Sequence, residues 1–364
     1  MIAELNFNQP SVQNLTNREF KQRIAFIAHT RKPKLFRHDP SFIYRCENLG
    51  LSLQAQGHEV HYLHWTQLRP TMHFDVIVFH RPRYSTLWYA LFCWLQRQAI
   101  TLVADVDDLI FDPKLAHYSP GVVNALVSLA QTKQQFSNNY RALACFEQLT
   151  VSTQPLAHHI KTCLPVANVQ ILPNAVHHSW RNLSIAPTAP PLIINYFSGT
   201  RSHDRDFAVY AQALTAFLKA HSQAQLHITG PLNCTLKARH GQIIAHEKRP
   251  FADYAPRVRH GWLNLAPLEH TPFTACKSAL KVIEAGYWNI PTLCSSLPDA
   301  QRFAQSGAVF ADDGNDCLQA LEALLNPDTY AKLTHNLSAR VLQQADIETV
   351  RALFLQFIAI ESPH

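Results

Sequence analysis

Short apolar runs alternate with segments of helical periodicity along this chain, in two successive series. The first series places strand-like runs at residues 23–28, 57–63, 75–79, 100–104, 148–152 and 169–172. The second places them at residues 192–197, 226–230, 239–247, 262–267, 291–295 and 308–311. Strands that alternate with helices form mostly parallel sheets covered by helices on both faces. The pattern predicts an α/β fold with two Rossmann-like, doubly wound domains.

A proline-rich stretch separates the two series. Residues 185–191 read IAPTAPP, a composition typical of a stiff linker. We therefore predict an N-terminal domain over residues 1–185 and a C-terminal domain over residues 186–345. Residues 346–364 are predicted to form a final helical segment, which carries an apolar stripe of Val350, Leu353, Phe354, Phe357 and Ile358.

Three segments carry more specific helix predictions. Residues 87–95 (LWYALFCWL) have only about half of the ~20 apolar residues needed to cross a bilayer, which predicts a buried helix. Residues 122–147 read as one helix. A third helix is predicted to begin near Thr274 and to end at Gly286, where glycine suits the C-terminal cap. Asp316 is the predicted cap of a further helix near residues 312–325.

Composition limits the size class and the partners. With 364 residues, 47% of them hydrophobic and 16% charged, the chain is globular and long enough for two cores. The formal charge of +6 is spread along the chain, which suits anionic small ligands or a lipid surface and argues against a nucleic-acid partner. A peripheral position at the inner face of a membrane is compatible with this charge.

The cysteines and the first residues indicate the compartment. Eight cysteines occur singly, with no C-x-x-C pair, which indicates a reduced cytoplasmic environment and argues against a zinc site. The first 23 residues lack an apolar core followed by a cleavage site, so no secretory signal is predicted there.

Charged side chains on the predicted helix at 274–286 suggest a phosphate site. Lys277, Lys281 and Glu284 are spaced i, i+4 and i+7, so they share one face of that helix. Two ammonium groups near a helix N-terminus can neutralise a diphosphate, and a carboxylate can accept hydrogen bonds from a pair of sugar hydroxyls. The alternative is a solvated stripe with a Lys281–Glu284 ion pair, worth only about a few tenths of a kcal/mol.

The loop after the strand at 192–197 is a second candidate for phosphate contacts. Ser198, Gly199 and Thr200 begin it, and a glycine followed by small hydroxyl residues lets backbone N–H groups approach a phosphate.

Cationic side chains follow a strand of the N-terminal series. His80, Arg81 and Arg83 come directly after the strand at 75–79, and the carboxyl ends of strands line the ligand crevice of doubly wound sheets. Arg45, early in the helix predicted at 41–56, is a further candidate for a phosphate contact. The alternative for each of them is an ordinary loop or surface residue.

Four carboxylates crowd the end of the strand at 100–104. Asp105, Asp107, Asp108 and Asp112 fall within eight residues, and like charges at such a position repel one another. Something must compensate for this repulsion, and we favour a functional reason over a structural one.

The spacing of Glu284, Ala285, Gly286 and Pro291 resembles the E-A-x-x-x-G-x-P signature in the nucleotide domain of retaining GT-B glycosyltransferases, the group that includes family 4. The wider stretch is similar to a subgroup of bacterial surface-polysaccharide transferases that read LAPLE-x-x-PFT-x-x-KSA-x-K-x-x-EAG. The glycine comes earlier here than in the family signature. Cys276 occupies the place of the first glutamate of the family's E-x7-E pair, and Glu269 is the candidate replacement.

This resemblance implies a GT-B architecture, in which two Rossmann-like domains face a central cleft and the C-terminal helix packs back on the first domain. It implies transfer of a hexosyl or deoxyhexosyl group from a nucleotide sugar, with retention of configuration. The implied acceptor is a glycan or a lipid-linked molecule in cell-surface polysaccharide synthesis. No cofactor and no metal are expected.

The resemblance also implies roles for individual residues. Glu284 would bind the donor ribose, and Arg205 falls where relatives place a diphosphate-binding lysine. Lys277 and Arg205 would stabilise the leaving diphosphate, while Asp107 and Asp108 would position the acceptor hydroxyl. The predicted donor-binding set is Ser198, Gly199, Thr200, Arg205, Gly230, Glu269, Phe273, Thr274, Lys277, Lys281 and Glu284. The predicted acceptor side of the cleft is Arg45, His80, Arg81 and Arg83.

Two other functions stay open at this point. The stretch DVDDLIFD from Asp105 resembles motif I of haloacid-dehalogenase-like phosphatases, with Asp105 as nucleophile, Asp107 beside it and magnesium bound. The acidic run from Asp312 to Asp316 resembles a later motif of that superfamily, although Leu109 stands where threonine or valine is expected. A non-catalytic nucleotide-sugar-binding subunit is the third possibility, because the first glutamate of the family pair is displaced.

Overall fold

The structure is a computed structural model that describes residues 21–181, 183, 191–199, 203–233 and 236–359. Two six-stranded parallel sheets carry helices on both faces. The prediction of an α/β fold with two doubly wound units is therefore confirmed. The predicted domain boundary, between residues 185 and 186, falls outside the described residues, as does Thr200.

The N-terminal sheet has the strand order β2-β1-β3-β4-β5-β6. Its inner strands are buried along almost their whole length, as expected for parallel strands covered on both faces. The order reverses between the first and third strands, so the ligand crevice opens above their carboxyl ends. The strands are β1 (Arg23–Ala28), β2 (Glu59–His64), β3 (Val76–His80), β4 (Thr101–Val106), β5 (Gln148–Val151) and β6 (Asn168–Ile171).

The helices of this half differ from the sequence prediction in two places. The predicted helix at 122–147 is interrupted, because Ala125 has a left-handed φ of 53° and the Ser128 side chain caps a new helix start. The helix predicted to be buried covers the sheet with one face only: Trp88 and Phe92 are buried, whereas Leu87 is 70% exposed. The helices are α1 (Pro40–Phe42), a π-helical turn (Ile43–Glu47), α2 (Asn48–Ala55), α3 (Thr86–Gln96), α4 (Pro120–Val123), α5 (Leu129–Leu143) and α6 (Gln154–Cys163).

The C-terminal sheet has the order β12-β11-β10-β7-β8-β9. The order in which strands are added reverses between β7 and β10, which places a second crevice above the carboxyl ends of these two strands. The strands are β7 (Ile193–Phe197), β8 (Gln225–Thr229), β9 (Ile243–His246), β10 (Leu263–Ala266), β11 (Thr292–Cys294) and β12 (Ala308–Phe310).

Two helix starts in this half are corrected by the structure. The helix predicted from Thr274 begins only at Leu280, because the Asp299 carboxylate accepts the Ala279 N–H at 2.7 Å and fixes the start there. Asp313 rather than Asp316 caps the acidic helix. The helices are α7 (Asp204–Ala220), α8 (Tyr254–Val258), α9 (Leu280–Tyr287), α10 (Pro298–Gln301), α11 (Gly314–Leu324), α12 (Pro327–Thr334), α13 (Leu337–Gln344) and α14 (Ile347–Ala359).

The last helix, α14, packs against the first sheet. Phe354 lies in the same apolar cluster as Phe26 of β1, with the two ring centroids 6.3 Å apart. Glu348 adds a polar contact by accepting the Ser52 hydroxyl at 3.0 Å. The end of the chain therefore ties the C-terminal half to the N-terminal half.

A second connection between the halves runs through residues 273–284. Phe273 and Cys276 are buried in the apolar cluster of the N-terminal domain. The Thr153 hydroxyl donates to the Cys276 carbonyl at 2.9 Å, and the Asn174 amide donates to Ser278 Oγ at 2.8 Å. This segment belongs to the C-terminal half in sequence but is anchored in both halves.

Two features bear on the predicted compartment. Among the described helices, none is both long and apolar enough to cross a membrane. The seven cysteines in the described ranges are free thiols. The cytoplasmic location stays a prediction.

Candidate functional site

A cleft of about 340 Å³ lies between the carboxyl ends of the two sheets. Both crevices of the doubly wound sheets open into it, which is where such domains bind their ligands. Residues that line it from the N-terminal domain include Ser41, Tyr44, Asp107, Asp108 and Asn174. Those from the C-terminal domain include Ser198, Gly199, Lys277, Ser278 and Lys281.

The loop after β7 brings backbone close to the cleft. Gly199 adopts a φ of 66°, a left-handed conformation that favours glycine, and no atom lies within 4 Å of where its Cβ would be. Gly230 follows the neighbouring strand with a φ of 98°, and a Cβ there would lie 2.8 Å from Ser198 Oγ. These glycines let the two strand ends approach each other and leave space above the loop for a ligand.

Glu284 is buried and fully engaged by protein groups. Tyr44 of the N-terminal domain donates to its Oε1 at 2.6 Å. Tyr254 and Lys281 donate to its Oε2, both at 2.8 Å. Its 2% exposure rules out the solvated stripe for Glu284. The three donors make Glu284 a buried polar link between the two domains, beside the cleft-lining residues Tyr44 and Lys281.

Burial and the Glu284 charge also affect the two tyrosines. Burial first, and then the neighbouring carboxylate, raise the pKa of Tyr44 and of Tyr254 well above the usual tyrosine value. Both phenols therefore stay protonated at neutral pH and can donate hydrogen bonds to Glu284.

Lys277 lies before α9 and not on it, so the predicted shared helical face with Lys281 is wrong. A 3₁₀ turn over Thr274–Cys276 ends at Lys277, whose backbone is extended. Its ammonium donates to Asp108 Oδ1 at 2.6 Å, across the cleft. Lys277 and Lys281 still line one cavity, but they reach it from different directions.

Phe273 and Thr274 have local structural partners. Phe273 is buried in the N-terminal apolar cluster and does not line the cleft, although the Lys277 ammonium lies 5.1 Å from its ring centroid. Thr274 is buried as well, and its hydroxyl donates to the Glu269 carbonyl and accepts the Thr271 N–H. Phe273 is drawn away by the anchoring of this segment on the other domain, whereas the Thr274 hydroxyl is used by a local turn with Glu269 and Thr271.

Arg205 and Glu269 pair with each other outside this cleft. Arg205 Nη2 lies 2.7 Å from Glu269 Oε1, on a side chain that is 57% exposed. Both line a neighbouring cavity of about 530 Å³, which shares Leu268 with the main cleft. The structure thus does not bring Arg205 beside Lys277, although the two cavities adjoin.

The aspartates after β4 are compensated by basic partners. Asp107 accepts from Arg81 Nε at 2.5 Å, and Asp108 accepts from Arg81 Nη2 at 2.8 Å. Burial opposes ionisation of Asp107, but Arg81 and the nearby His80 and Ser41 hold the pKa of Asp107 far below its usual range. Asp107 therefore faces the cleft in ionised form, and Asp108 lines the same cleft with Arg81 and Lys277 as its partners.

Asp105 lies beneath the cleft. It accepts from Arg45 Nη2 at 2.5 Å, from Thr150 at 2.8 Å and pairs with His80 Nδ1 at 2.8 Å. Burial would raise the pKa of Asp105, yet the charge and hydrogen bonds of Arg45 and His80 hold it below the ordinary aspartate value.

Arg45 and Arg83 do not fit their predicted contacts with a ligand. Arg45 is buried, and its Nη1 donates to the Leu172 carbonyl while Nη2 pairs with Asp105, so its charge is already neutralised. Arg83 points its Nε to Asn139 Oδ1 at 3.5 Å, away from the residues that line the cleft. Arg45 failed as a prediction because its position in the helix gave no information about the buried Asp105 opposite it.

The phosphatase interpretation is contradicted by the environment of Asp105. A nucleophilic carboxylate needs an exposed oxygen, whereas the Asp105 side chain is 4% exposed and both its oxygens accept hydrogen bonds. Asp312 lies in the other half, where it binds Ser296 and His270. In the described ranges no group of three or more His, Cys, Asp or Glu side chains is arranged to hold a metal ion.

Two residues that donate hydrogen bonds to Glu284 were missed by the sequence predictions. Tyr44 lies three residues after Ser41 and so shares its helical face, a signal that was present beside Arg45. Tyr254 lies in a stretch without a recognisable pattern, and only the tertiary fold brings it to Glu284.

No protein-family model matches this chain, and no curated protein is detectably similar in sequence. Solved structures are similar in fold. A glycosyltransferase from Rickettsia africae has a TM-score of 0.62 at 10% sequence identity, covering 94% of this chain and 100% of that one. HepE from Anabaena, solved with UDP and glucose, has a TM-score of 0.59 at 12% identity, covering 93% and 99%. This chain has a GT-B fold.

A third structure shares the GT-B fold over a smaller part of the chain. The α,α-trehalose-phosphate synthase of Burkholderia xenovorans has a TM-score of 0.55 at 12% identity, covering 81% of this chain and 75% of that one. At identities this low the similarity shows the fold alone.

Proposed function

We propose that this protein is a glycosyltransferase that moves a sugar from a nucleotide-sugar donor to an acceptor held against the N-terminal domain. The supporting observation is the composition of the cleft, which is lined by the Gly199 loop and Lys281 on one side and by Asp107 and Asp108 on the other. Glu284 lies behind this lining and accepts hydrogen bonds from Lys281 and Tyr44, which both line the cleft. A GT-B fold and the UDP bound in the Anabaena structure make UDP the first nucleotide to test.

The donor would bind to the C-terminal side. The diphosphate would lie above the Gly199 loop, where backbone N–H groups and the Lys281 ammonium can contact it. The ribose hydroxyls would donate to Glu284, in place of the Tyr44 hydroxyl that occupies its Oε1. Donor binding and the contact between the two domains are then competing events at one carboxylate.

Lys277 would act on the leaving group. Its ammonium pairs with Asp108, on the opposite side of the cleft. As the glycosidic bond lengthens, negative charge grows on the diphosphate and attracts this ammonium more strongly. A contact that strengthens along the reaction coordinate lowers the barrier rather than only the donor dissociation constant.

The acceptor would bind on the N-terminal side. Asp107 and Asp108 are held by Arg81 and line the cleft, so their free lone pairs can accept a hydrogen bond from an acceptor hydroxyl. The resemblance further suggests hexosyl or deoxyhexosyl transfer with retention, and a glycan or lipid-linked acceptor in the synthesis of a surface polysaccharide. A cytoplasmic location with peripheral membrane contact belongs to the same proposal.

A panel of nucleotide sugars tests the proposal. The protein is incubated with each donor and simple glycoside or polyprenyl-phosphate acceptors, and free nucleotide and glycosylated product are followed by mass spectrometry. We expect one donor to give both products in equal amounts. Binding of a donor without turnover on any acceptor would favour the non-catalytic subunit, which the cysteine in place of the family's first glutamate also supports. No binding of any donor would contradict both.

A further inference from the structure

A buried chain of hydrogen bonds runs from β4 to the cleft. Asp105 Oδ2 lies 2.8 Å from His80 Nδ1, and His80 Nε2 lies 2.8 Å from Ser41 Oγ. Ser41 Oγ lies in turn 2.5 Å from Asp107 Oδ2. His80 is 2% exposed, whereas Ser41 lines the cleft. The chain therefore links a buried carboxylate to a hydroxyl that a substrate can contact.

The number of hydrogens in this chain depends on the protonation of His80. Three contacts need three hydrogens, but Ser41 supplies one and a neutral imidazole supplies one. Two ionised aspartates supply none. All three contacts are hydrogen bonds only when both ring nitrogens carry hydrogens, with Ser41 donating to Asp107. The geometry is therefore complementary to the chain after it has taken up one proton.

The surroundings fix this geometry. Arg45 and Thr150 hold Asp105, and the Phe42 ring packs edge-on against His80 with centroids 6.0 Å apart. Asp39 accepts the Ser41 N–H at 3.0 Å, which sets the start of α1. These side chains leave the imidazole and the hydroxyl little freedom to turn away from each other.

The charges around His80 balance one another. Asp105 and Asp107 face it from β4 and the loop after it, while Arg45 lies across from Asp105 on the π-helical turn. Arg81 follows His80 and pairs with Asp107. The Cys46 thiol lies behind Asp105, and burial raises its pKa well above the usual cysteine value, so it adds no charge.

We propose that Ser41, His80 and Asp105 form a proton relay that removes the proton of the acceptor hydroxyl; this rests on the proposed transferase function. Ser41 is the catalytic residue, because it contacts the acceptor. His80 and Asp105 act through it. The predicted acceptor-side role of His80 thus becomes specific: its Nε2 accepts the proton of the Ser41 hydroxyl.

The step conserves protons and electrons. The acceptor hydroxyl donates to Ser41 Oγ, and the Ser41 hydroxyl donates to His80 Nε2. When the acceptor oxygen bonds to the sugar C1, the bond from C1 to the diphosphate oxygen breaks, and its electron pair stays on the diphosphate. The acceptor proton moves to Ser41 while the Ser41 proton moves to His80. Asp105 stabilises the imidazolium, and the new Ser41 hydroxyl donates to Asp107.

The alternative to the relay is that the proton of the acceptor hydroxyl goes elsewhere. If an oxygen of the leaving diphosphate takes the acceptor proton directly, the relay has no role in the reaction. The hydrogen bonds among Ser41, His80 and Asp105 would then be structural only. The two cases differ in rate and in pH dependence, not merely in stability.

The test compares His80→Gln, Ser41→Ala and Ser41→Thr with the control His64→Gln. His64 ends strand β2 of the same sheet and is as buried as His80, and it binds Thr66 Oγ1 and the Thr30 carbonyl rather than a cleft residue. Donor affinity, kcat and its pH profile are measured for each folded variant. General base catalysis contributes about 10²–10⁴ in rate, so we expect His80→Gln and Ser41→Ala to lose at least about a hundredfold in kcat.

Other readouts separate a relay from a packing role. We expect unchanged donor affinity, partial recovery of kcat in Ser41→Thr, and a pH profile of kcat in His80→Gln that differs from that of wild type. His64→Gln should keep the wild-type profile. Values of kcat within about threefold of wild type in Ser41→Ala, or an equal loss in His64→Gln, would overturn the relay.

A measurement without substrate keeps this test independent of the transferase proposal. In protein with ¹⁵N-labelled histidine, the His80 ring is assigned by its absence from the His80→Gln spectrum. We expect both ring nitrogens to carry a hydrogen when the relay is protonated, and Ser41→Ala to shift the Nε2 signal. If Ser41→Ala leaves the His80 signals unchanged, the hydrogen bond between Ser41 and His80 does not exist in solution. If the signals shift but no donor binds, the proposed function fails and the hydrogen-bonded chain stands.

Discussion

Tyr44→Phe removes one hydroxyl from the boundary between the two domains and should change stability and nucleotide binding in opposite directions. The Tyr44 hydroxyl donates to Glu284 Oε1 at 2.6 Å, and both residues are buried. A hydrogen bond to a charged group contributes about 1.5–3 kcal/mol to stability. The variant should therefore unfold with a free energy lower by about that amount.

The same hydroxyl competes with the donor for Glu284. If the ribose takes its place on Oε1, wild-type protein must break this bond before it binds nucleotide, whereas Tyr44→Phe has no such bond to break. A gain of about 1.5–3 kcal/mol corresponds to roughly ten- to hundredfold tighter binding. A buried hydroxyl that merely supports the fold would give a loss or no change.

Urea unfolding and calorimetric titration with UDP measure the two effects. Tyr330→Phe is the matched control, because the Tyr330 hydroxyl donates at 2.7 Å to the Trp262 carbonyl and not to Glu284. That variant should lose about 1 kcal/mol of stability and keep its nucleotide affinity. If Tyr44→Phe binds UDP no more tightly than wild type, Tyr44 is not displaced by the donor and the competition is refuted.

Further outcomes follow from the same contacts. Lys277→Met and Lys281→Met should lower single-turnover transfer more than donor affinity, and wild-type values for both would show that neither lysine meets the diphosphate. Wild-type protein should not hydrolyse a phosphomonoester in the presence of magnesium. Asp105→Asn should lower the free energy of unfolding by about 3–5 kcal/mol, because it leaves Arg45 buried without its partner. Clear hydrolysis by wild type that disappears in Asp105→Asn would instead support the phosphatase interpretation. Burial and the nearby His178 lower the pKa of His177 to about 3. The contribution of neutral His177 to the free energy of unfolding is therefore fully present above about pH 6.5 and is lost at lower pH, where His177 of the unfolded chain takes up a proton. Between pH 7 and pH 5 that loss is about 2 kcal/mol in urea unfolding, and His177→Asn should reduce it.

The strand pattern of this chain was readable from sequence because parallel strands covered on both faces are almost purely apolar. Ile24, Phe26, Val76 and Val78 are all buried. When such apolar runs alternate with helical segments, few topologies other than a doubly wound parallel sheet are compatible with the sequence. The two crevices follow from the same pattern, because strand order and connection handedness fix where the carboxyl ends meet.

The start of α9 was not readable, because distant residues determine it. Local propensity favours a helix from Thr274, yet Phe273 and Cys276 are drawn into the other domain and Asp299 binds the Ala279 N–H. Tertiary contacts override propensity in such a segment. The consequence for the site is large, since Lys277 reaches the cleft from an extended turn and not from the helix.

The partners of charged residues were the other gap. Sequence placed Arg45, Arg81 and the aspartates near one edge, but it gave no means of pairing them. Arg45 forms a buried ion pair with Asp105, whereas Arg81 bridges Asp107 and Asp108 at the cleft surface. Which cation is buried depends on the depth of each position below the sheet edge, and that depth is a property of the folded chain.

Titration of nucleoside diphosphates into wild-type protein and Glu284→Ala tests most directly whether this cleft binds a nucleotide sugar. Glu322→Ala is the control, since Glu322 is an exposed glutamate that pairs with His221. Should Glu284→Ala fail to fold, Glu284→Gln takes its place. We expect at least one nucleoside diphosphate to bind wild type and Glu322→Ala, and a folded Glu284 variant to bind it more weakly by about 1.5–3 kcal/mol. Equal affinity in that variant, or no binding of any nucleoside diphosphate to wild type, would contradict this expectation.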